Sequence, residues 1–133
     1  MSYKQILTPQ VPEPPGGIFS NCLVHGEQIF IAGMTASTAE GKPTGGNSME
    51  AQARACFAKI KAVLEAAGSG MADVVKMTVY VTDMSRRPEF GKVRNEVFAG
   101  PNRPCSTMVE VKGLAGADLL VEVDVTAFRG AGR

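Results

Sequence analysis

Cys105, Ser106 and Thr107 stand in a row inside NRPCSTMVEV, between a loop-like beginning and a strand-like end. One thiol and two hydroxyls in succession offer nucleophiles or hydrogen-bond donors. A serine nucleophile needs a general base, most often histidine. The chain has 1 histidine, His25, in a turn beside a glycine, so no Ser-His-Asp arrangement can be built. A solvated turn histidine is the plainer reading of it. A reactive cysteine needs a nearby cation or base to favour its thiolate, and Arg103 lies two residues before Cys105. A free cysteine also packs as a small hydrophobe, so Cys105 has both readings. Cys56 falls on an apolar helical stripe and reads as core; Cys22 reads as an ordinary strand residue. Glu122 is the sharper candidate. It interrupts LLVEVDV, and a carboxylate amid apolar surface is costly unless paired or hydrogen-bonded. Such a group often has a raised pKa and can handle a proton. The alternative is a structural carboxylate paired across an interface. Glu110 and Asp124 share the alternation and carry the same two readings with less weight.

The elements that must position these residues follow from composition and periodicity. A chain of 133 residues, 44% hydrophobic, is expected to form one domain spanning 1–133 with a core that needs no disulfide framework. The 14 basic and 13 acidic residues nearly balance, and no Lys/Arg cluster marks a nucleic-acid surface. No apolar run approaches the roughly 20 residues of a membrane span, and the first residues lack a signal peptide's apolar region. The 3 cysteines are widely spaced with no CxxC pair, which reads as reduced thiols in a cytoplasmic protein. With so few Cys and His, a metal site is not expected. The glycine-rich PPGG and TGGN match neither a dinucleotide fingerprint nor a phosphate loop.

Residues 8–17, rich in Pro and Gly, predict an irregular crossing after a short first strand. Strands are predicted at 18–24 and 27–32 around a turn at His25-Gly26. Residues 34–47 are a loop by composition. A helix over 47–67 carries Met49, Ala53, Cys56, Phe57, Ile60, Val63, Leu64 and Ala67 on one stripe. Asn47 is its predicted cap, with Glu50 reaching back, and Gly68 its stop. In 73–82, Val75, Met77, Val79 and Val81 alternate with Lys76, Thr78, Tyr80 and Thr82. A second helix over 87–98 buries Phe90, Val93 and Val97, and strands at 107–112 and 119–128 finish the chain. The result is a two-layer α/β domain with both helices on one sheet face. The other face mixes Lys76, Thr78, Tyr80, Leu120, Glu122, Asp124 and Thr126, a composition that suits a subunit interface containing a pocket, hence a closed homo-oligomer.

The stretches IFIAGMTA, AQARACFAKIKAVLEAAGSGMADVVKMTVYVTDM, FGKVRNEVFAG and RPCSTMVEVKGLAGADLLVEVDVTA make nearly the whole chain resemble the Rid family, also called YjgF or L-PSP. The resemblance implies a chorismate-mutase-like fold with a mixed sheet and two helices on one face. It implies a homotrimer with three interface pockets, a small-molecule substrate and no cofactor, metal, nucleic acid or membrane partner. The best-known activity of the family is hydrolysis of amino-acid enamines and imines, such as 2-aminoacrylate and 2-iminobutanoate, to a 2-keto acid and ammonia. There, an arginine in Pro-Ala-Arg-Ser holds the substrate carboxylate, a tyrosine lines the pocket, and a glutamate of the last strand positions the water.

Carried over by position, the glutamate is Glu122 and the proline is Pro104. The alanine is Cys105, the arginine is Ser106 and the next serine is Thr107. The tyrosine falls on Phe19, an asparagine of the second helix on Gly91, and Gly33 of IFIAGMTA joins the substrate-binding positions. Losing a charge-assisted bond worth roughly 1.5–3 kcal/mol weakens 2-imino-acid binding by about ten- to a hundredfold. Arg94 and Arg103 are the candidates for a displaced anchor. The reading is a cofactor-free hydrolytic deaminase of imines, enamines or related small molecules whose substrate differs from 2-imino acids. Its rival is a non-catalytic ligand-binding or protein-interaction trimer.

Overall fold

The computed structural model describes residues 2–132. Six strands form one sheet: β1 (Lys4–Gln5), β2 (Cys22–His25), β3 (Gln28–Met34), β4 (Val74–Val81), β5 (Cys105–Glu110) and β6 (Val121–Phe128). Their order across the sheet is β1-β2-β3-β6-β4-β5. Only β4 and β5 pair in parallel, and the helix α2 (Arg87–Val97) makes the crossover that parallel neighbours require. The other helix, α1 (Met49–Ala66), joins β3 to β4. Among the described residues, no helix is long and apolar enough to cross a membrane.

The core lies between one sheet face and the two helices. From α1 come Cys56, Phe57, Ile60 and Leu64, from α2 Phe90 and Val93, and from the sheet Met77, Val79, Val81, Val121 and Val123, all buried. Phe57 packs against Phe90 and, edge-on, against Phe98, at centroid distances of 5.8 and 5.7 Å, which joins the two helices. On the surface above, Glu50 bridges Arg54 and Lys92, and Arg54 also reaches Glu96.

The predicted elements form, with shifts at their ends. Ile18 and Phe19 are not in a strand. They follow a 3-10 turn at Pro15–Gly17, and β2 begins only at Cys22. The turn proper is Gly26-Glu27, with His25 pairing Gln28 and Gly26 taking φ 59°, which glycine adopts without penalty. The cap of α1 is Ser48, not Asn47: its hydroxyl accepts from Ala51 N at 3.1 Å. Asn47 instead receives two bonds from Arg86, and Glu50 is drawn away to Arg54 and Lys92. Gly68 ends the helix at φ 76°, while the Arg129 guanidinium donates to the Ala67 carbonyl at 2.7 Å. In β4 the strict alternation breaks at its start. A register shift between Val74 and Lys76 turns Val74 inward and leaves Val75 half-exposed.

Candidate functional site

Strand β6 carries Glu122 between the buried Val121 and Val123, so its side chain projects from the helix-free face. Register places Glu122 beside Tyr80 of β4, and Tyr80 beside Val109 of β5. The next row on that face is Asp124, Thr78 and Thr107, and the one after it Thr126, Lys76 and Cys105. Tyr80 donates its hydroxyl to Asp124 Oδ2 at 3.2 Å. No hydrogen bond or ion pair among the described residues engages the Glu122 carboxylate, which leaves it available to a ligand. Half-burial, and then the nearby Asp124 carboxylate, push the Glu122 carboxyl above the usual 4.5. The same Asp124 charge raises the Tyr80 phenol.

The other neighbour of β6 is irregular where it meets this group. From Ile31 to Met34, β3 advances three residues while β6 advances two, from Val125 to Val123. Ala32 and Gly33 therefore form a bulge opposite Asp124, a device that bends a strand and re-aims its side chains. A Cβ placed on Gly33 would lie 2.6 Å from Glu122 Cδ and 2.9 Å from Cγ, far inside contact distance. Gly33 is thus needed for room: the Glu122 side chain folds across its bare Cα. Asn21 fixes the approach to β2 by donating to the carbonyls of Val11 and Pro12 and accepting the Ala32 amide on its own carbonyl. Phe19, two residues before Asn21, lies outside the strand and is 53% exposed.

Ser106 belongs to the opposite face. It sits beside Met77, which is buried under the helices. There it lines a cavity of about 220 Å³ with Met77, Arg94, Asn95, Phe98, Arg103 and Pro104. Both candidate anchors and the serine thus share one space between β5 and α2. Cys105 and Thr107 alternate away from it and are exposed on the Glu122 face. Within one chain, therefore, the candidates form two groups. Glu122, Gly33, Thr107 and Cys105 lie on one face, and Ser106, Arg94 and Arg103 on the other. Glu110 has a local task, accepting the Met84 amide at 2.8 Å.

Sequence reasoning missed Gln52. This side chain is fully buried on α1, where it donates to the carbonyls of Gly46 and Asp118 at 2.8 and 2.9 Å and accepts the Leu120 amide at 2.8 Å. It pins the segment that leads directly into β6 and Glu122. The available signal was a polar residue three after Met49 and four before Cys56, on the apolar stripe itself.

Residues 10–129 match the family model described as Endoribonuclease L-PSP. The chain belongs to the L-PSP family. This is the family also called Rid and YjgF. A RutC family protein of Pyrococcus abyssi is 33% identical over 129 residues, covering 97% of this chain and 99% of that one. A 2-iminobutanoate/2-iminopropanoate deaminase of Dermatophagoides farinae is 29% identical over 109 residues, covering 81% and 84%. Among solved L-PSP-like structures, a protein of unknown function from Pseudomonas aeruginosa has a TM-score of 0.86 at 37% identity, covering 97% of this chain and 94% of its own. A Rid family protein from Yersinia pestis has a TM-score of 0.87 at 25% identity, covering 96% and 99%. The six-stranded mixed sheet with two helices is accordingly the L-PSP fold, as the sequence led one to expect.

Proposed function

We propose that this protein is a hydrolytic deaminase of small imines or enamines, working without a cofactor at pockets between subunits of a homotrimer. The observation that carries the reading is Glu122. Its carboxylate is unpaired among the described residues, half-buried, raised in pKa and given its position by Gly33. A group retained at that cost suits proton transfer better than scaffolding.

In the proposed reaction Glu122 accepts a proton from water as the water oxygen bonds to the imine carbon and the C=N π pair moves to nitrogen. The proton then passes to nitrogen to give a carbinolamine; the carbinol O–H proton is carried to nitrogen in turn, the C–N bond breaks, and ammonia leaves as the carbonyl forms. An enamine first takes a proton on carbon to become the imine. A carboxyl held above its ordinary range by burial is better matched to both directions of transfer than an unshifted one.

The trimer is supported by the helix-free face. Phe30, Phe128 and Val109 are exposed on it at 41%, 38% and 39%. An apolar set around a polar centre is the composition of an interface holding a pocket. Assembly is also the way a β5 edge and its Ser106 cavity can meet the Glu122 face of a neighbour. The relative from Dermatophagoides farinae, named as an imine deaminase, lends the reaction class. Ser106, which offers no charge, favours a substrate other than the simplest 2-imino acids. A second reading, a ligand-binding trimer without turnover, draws on the same serine.

The deciding experiment is ammonia and ketone release from freshly generated imines and enamines, with 2-aminoacrylate and 2-iminobutanoate included. Turnover on at least one member, with weak turnover on those two, is expected. Silence across the whole panel would favour the binding reading.

A further inference from the structure

We propose that the cavity between β5 and α2 is a carboxylate subsite in which Arg94 and Arg103 take hold of the substrate's acid group. Two arginines line one small space there. Arg94 reaches it from the half-buried side of α2, and Arg103 from the loop that enters β5. Three other arginines of the fold are occupied: Arg54 by Glu50 and Glu96, Arg86 by Asn47 and Glu89, and Arg129 by Glu27 and the end of α1. The guanidiniums of Arg94 and Arg103 enter no ion pair or hydrogen bond among the described residues. No carboxylate lines the cavity to neutralise them. Two positive charges on one cavity repel, and an anion between them removes that repulsion.

The surroundings suit a carboxylate. Met77 and Phe98 supply an apolar wall that weakens solvent screening, while Ser106 and Asn95 add a hydroxyl and an amide as neutral donors. Ser106 is small and projects little from the strand into the space. A Cβ built on Gly91 would stand 3.6 Å from Arg94 Nη2, so that guanidinium lies along the helix beside position 91. A planar fork of N–H donors matches the two oxygens of a carboxylate and is a poor match for an uncharged amide. The specificity that follows is for an acid gripped from α2 and its following loop, rather than from strand β5 itself. That this acid belongs to an imine or enamine rests on the deaminase reading; the binding of a carboxylate does not.

The test is calorimetric titration of the full chain with 2-oxobutanoate and, separately, with uncharged butanamide. Binding of 2-oxobutanoate is expected, with the amide weaker by about tenfold or more. Arg94→Ala and Arg103→Ala should each weaken 2-oxobutanoate by about five- to tenfold, and Arg94→Lys by less than Arg94→Ala. Neither guanidinium has a partner among the described residues to lose, so melting temperatures should stay at the wild-type value and show that the variants are folded. Equal affinity for acid and amide, unchanged affinity in both alanine variants, or no 2-oxobutanoate binding at millimolar concentration would each overturn the subsite. Glu122→Gln separates the two proposals. It should keep 2-oxobutanoate binding while losing ammonia release. Arginine-dependent binding with no turnover on any imine would sink the deaminase reading and leave the subsite standing.

Discussion

Glu122 holds its position because Gly33 has no side chain. Adding one methyl there, Gly33→Ala, drives a Cβ into the carboxylate arm and should cost about 1–3 kcal/mol of stability as well as displacing the acid from its working position. The Gly33→Ala, Glu122→Ala pair should be less destabilised than the sum of the single changes, measured by urea unfolding; strict additivity would show that the two positions do not touch. The raised carboxyl has a consequence of known sign. With its folded pKa above the ordinary value of 4.5, Glu122 contributes stability while protonated, and that contribution is lost as pH rises through the folded pKa. Glu122→Gln keeps the neutral shape at every pH. Its melting temperature relative to wild type should therefore climb from about pH 4 to about pH 8, and a flat difference would show an unshifted carboxyl. Glu122 was legible in the sequence as a charge interrupting LLVEVDV. The need for glycine at position 33 was not, because the clash is with a strand far along the chain.

The elements were read from periodicity, and periodicity carries no information about bulges. The bulge at Ala32-Gly33 and the register shift at Val74–Lys76 each insert a residue that no alternation pattern announces. The cap of α1 was misplaced for a similar reason. Asn47 and Ser48 are both good caps, and what separates them is Arg86, which engages Asn47 from a distant turn. Gln52 is the element-scale counterpart of Gly33, since its three hydrogen bonds tie α1 to the segment entering β6. Gln52→Leu preserves bulk but strands an amide and two carbonyls in the interior, at a cost of about 3 kcal/mol or more. Chemical denaturation gives the size of that loss. Exchange of the Leu120 amide should accelerate more than that of amides in β2, whereas uniform acceleration would mean Gln52 acts only through global stability.

At the scale of the whole molecule, the sheet has one dry face and one face waiting for cover. The helices bury the first. The second shows Phe30, Phe128 and Val109 to solvent, and β5 presents an unpaired edge beside them. Light scattering should give a mass near three times the 14.0 kDa chain, and Val109→Asp together with Phe30→Asp should shift it toward one chain. A monomeric wild type would remove the means by which the two residue groups meet. The sequence displayed this face as a mixture of Lys76, Thr78, Tyr80 and Glu122. It also named Ser106, Arg94 and Arg103, but only the register shows that Ser106 turns toward α2 and away from Glu122. The central claim is that Glu122 moves the proton in imine hydrolysis. Its most direct test is the rate of ammonia release by Glu122→Gln on the best substrate found for the wild type, with 2-oxobutanoate affinity measured on the same preparation. A fall of about a hundredfold or more at unchanged affinity is expected, and full turnover by the folded variant would contradict the claim.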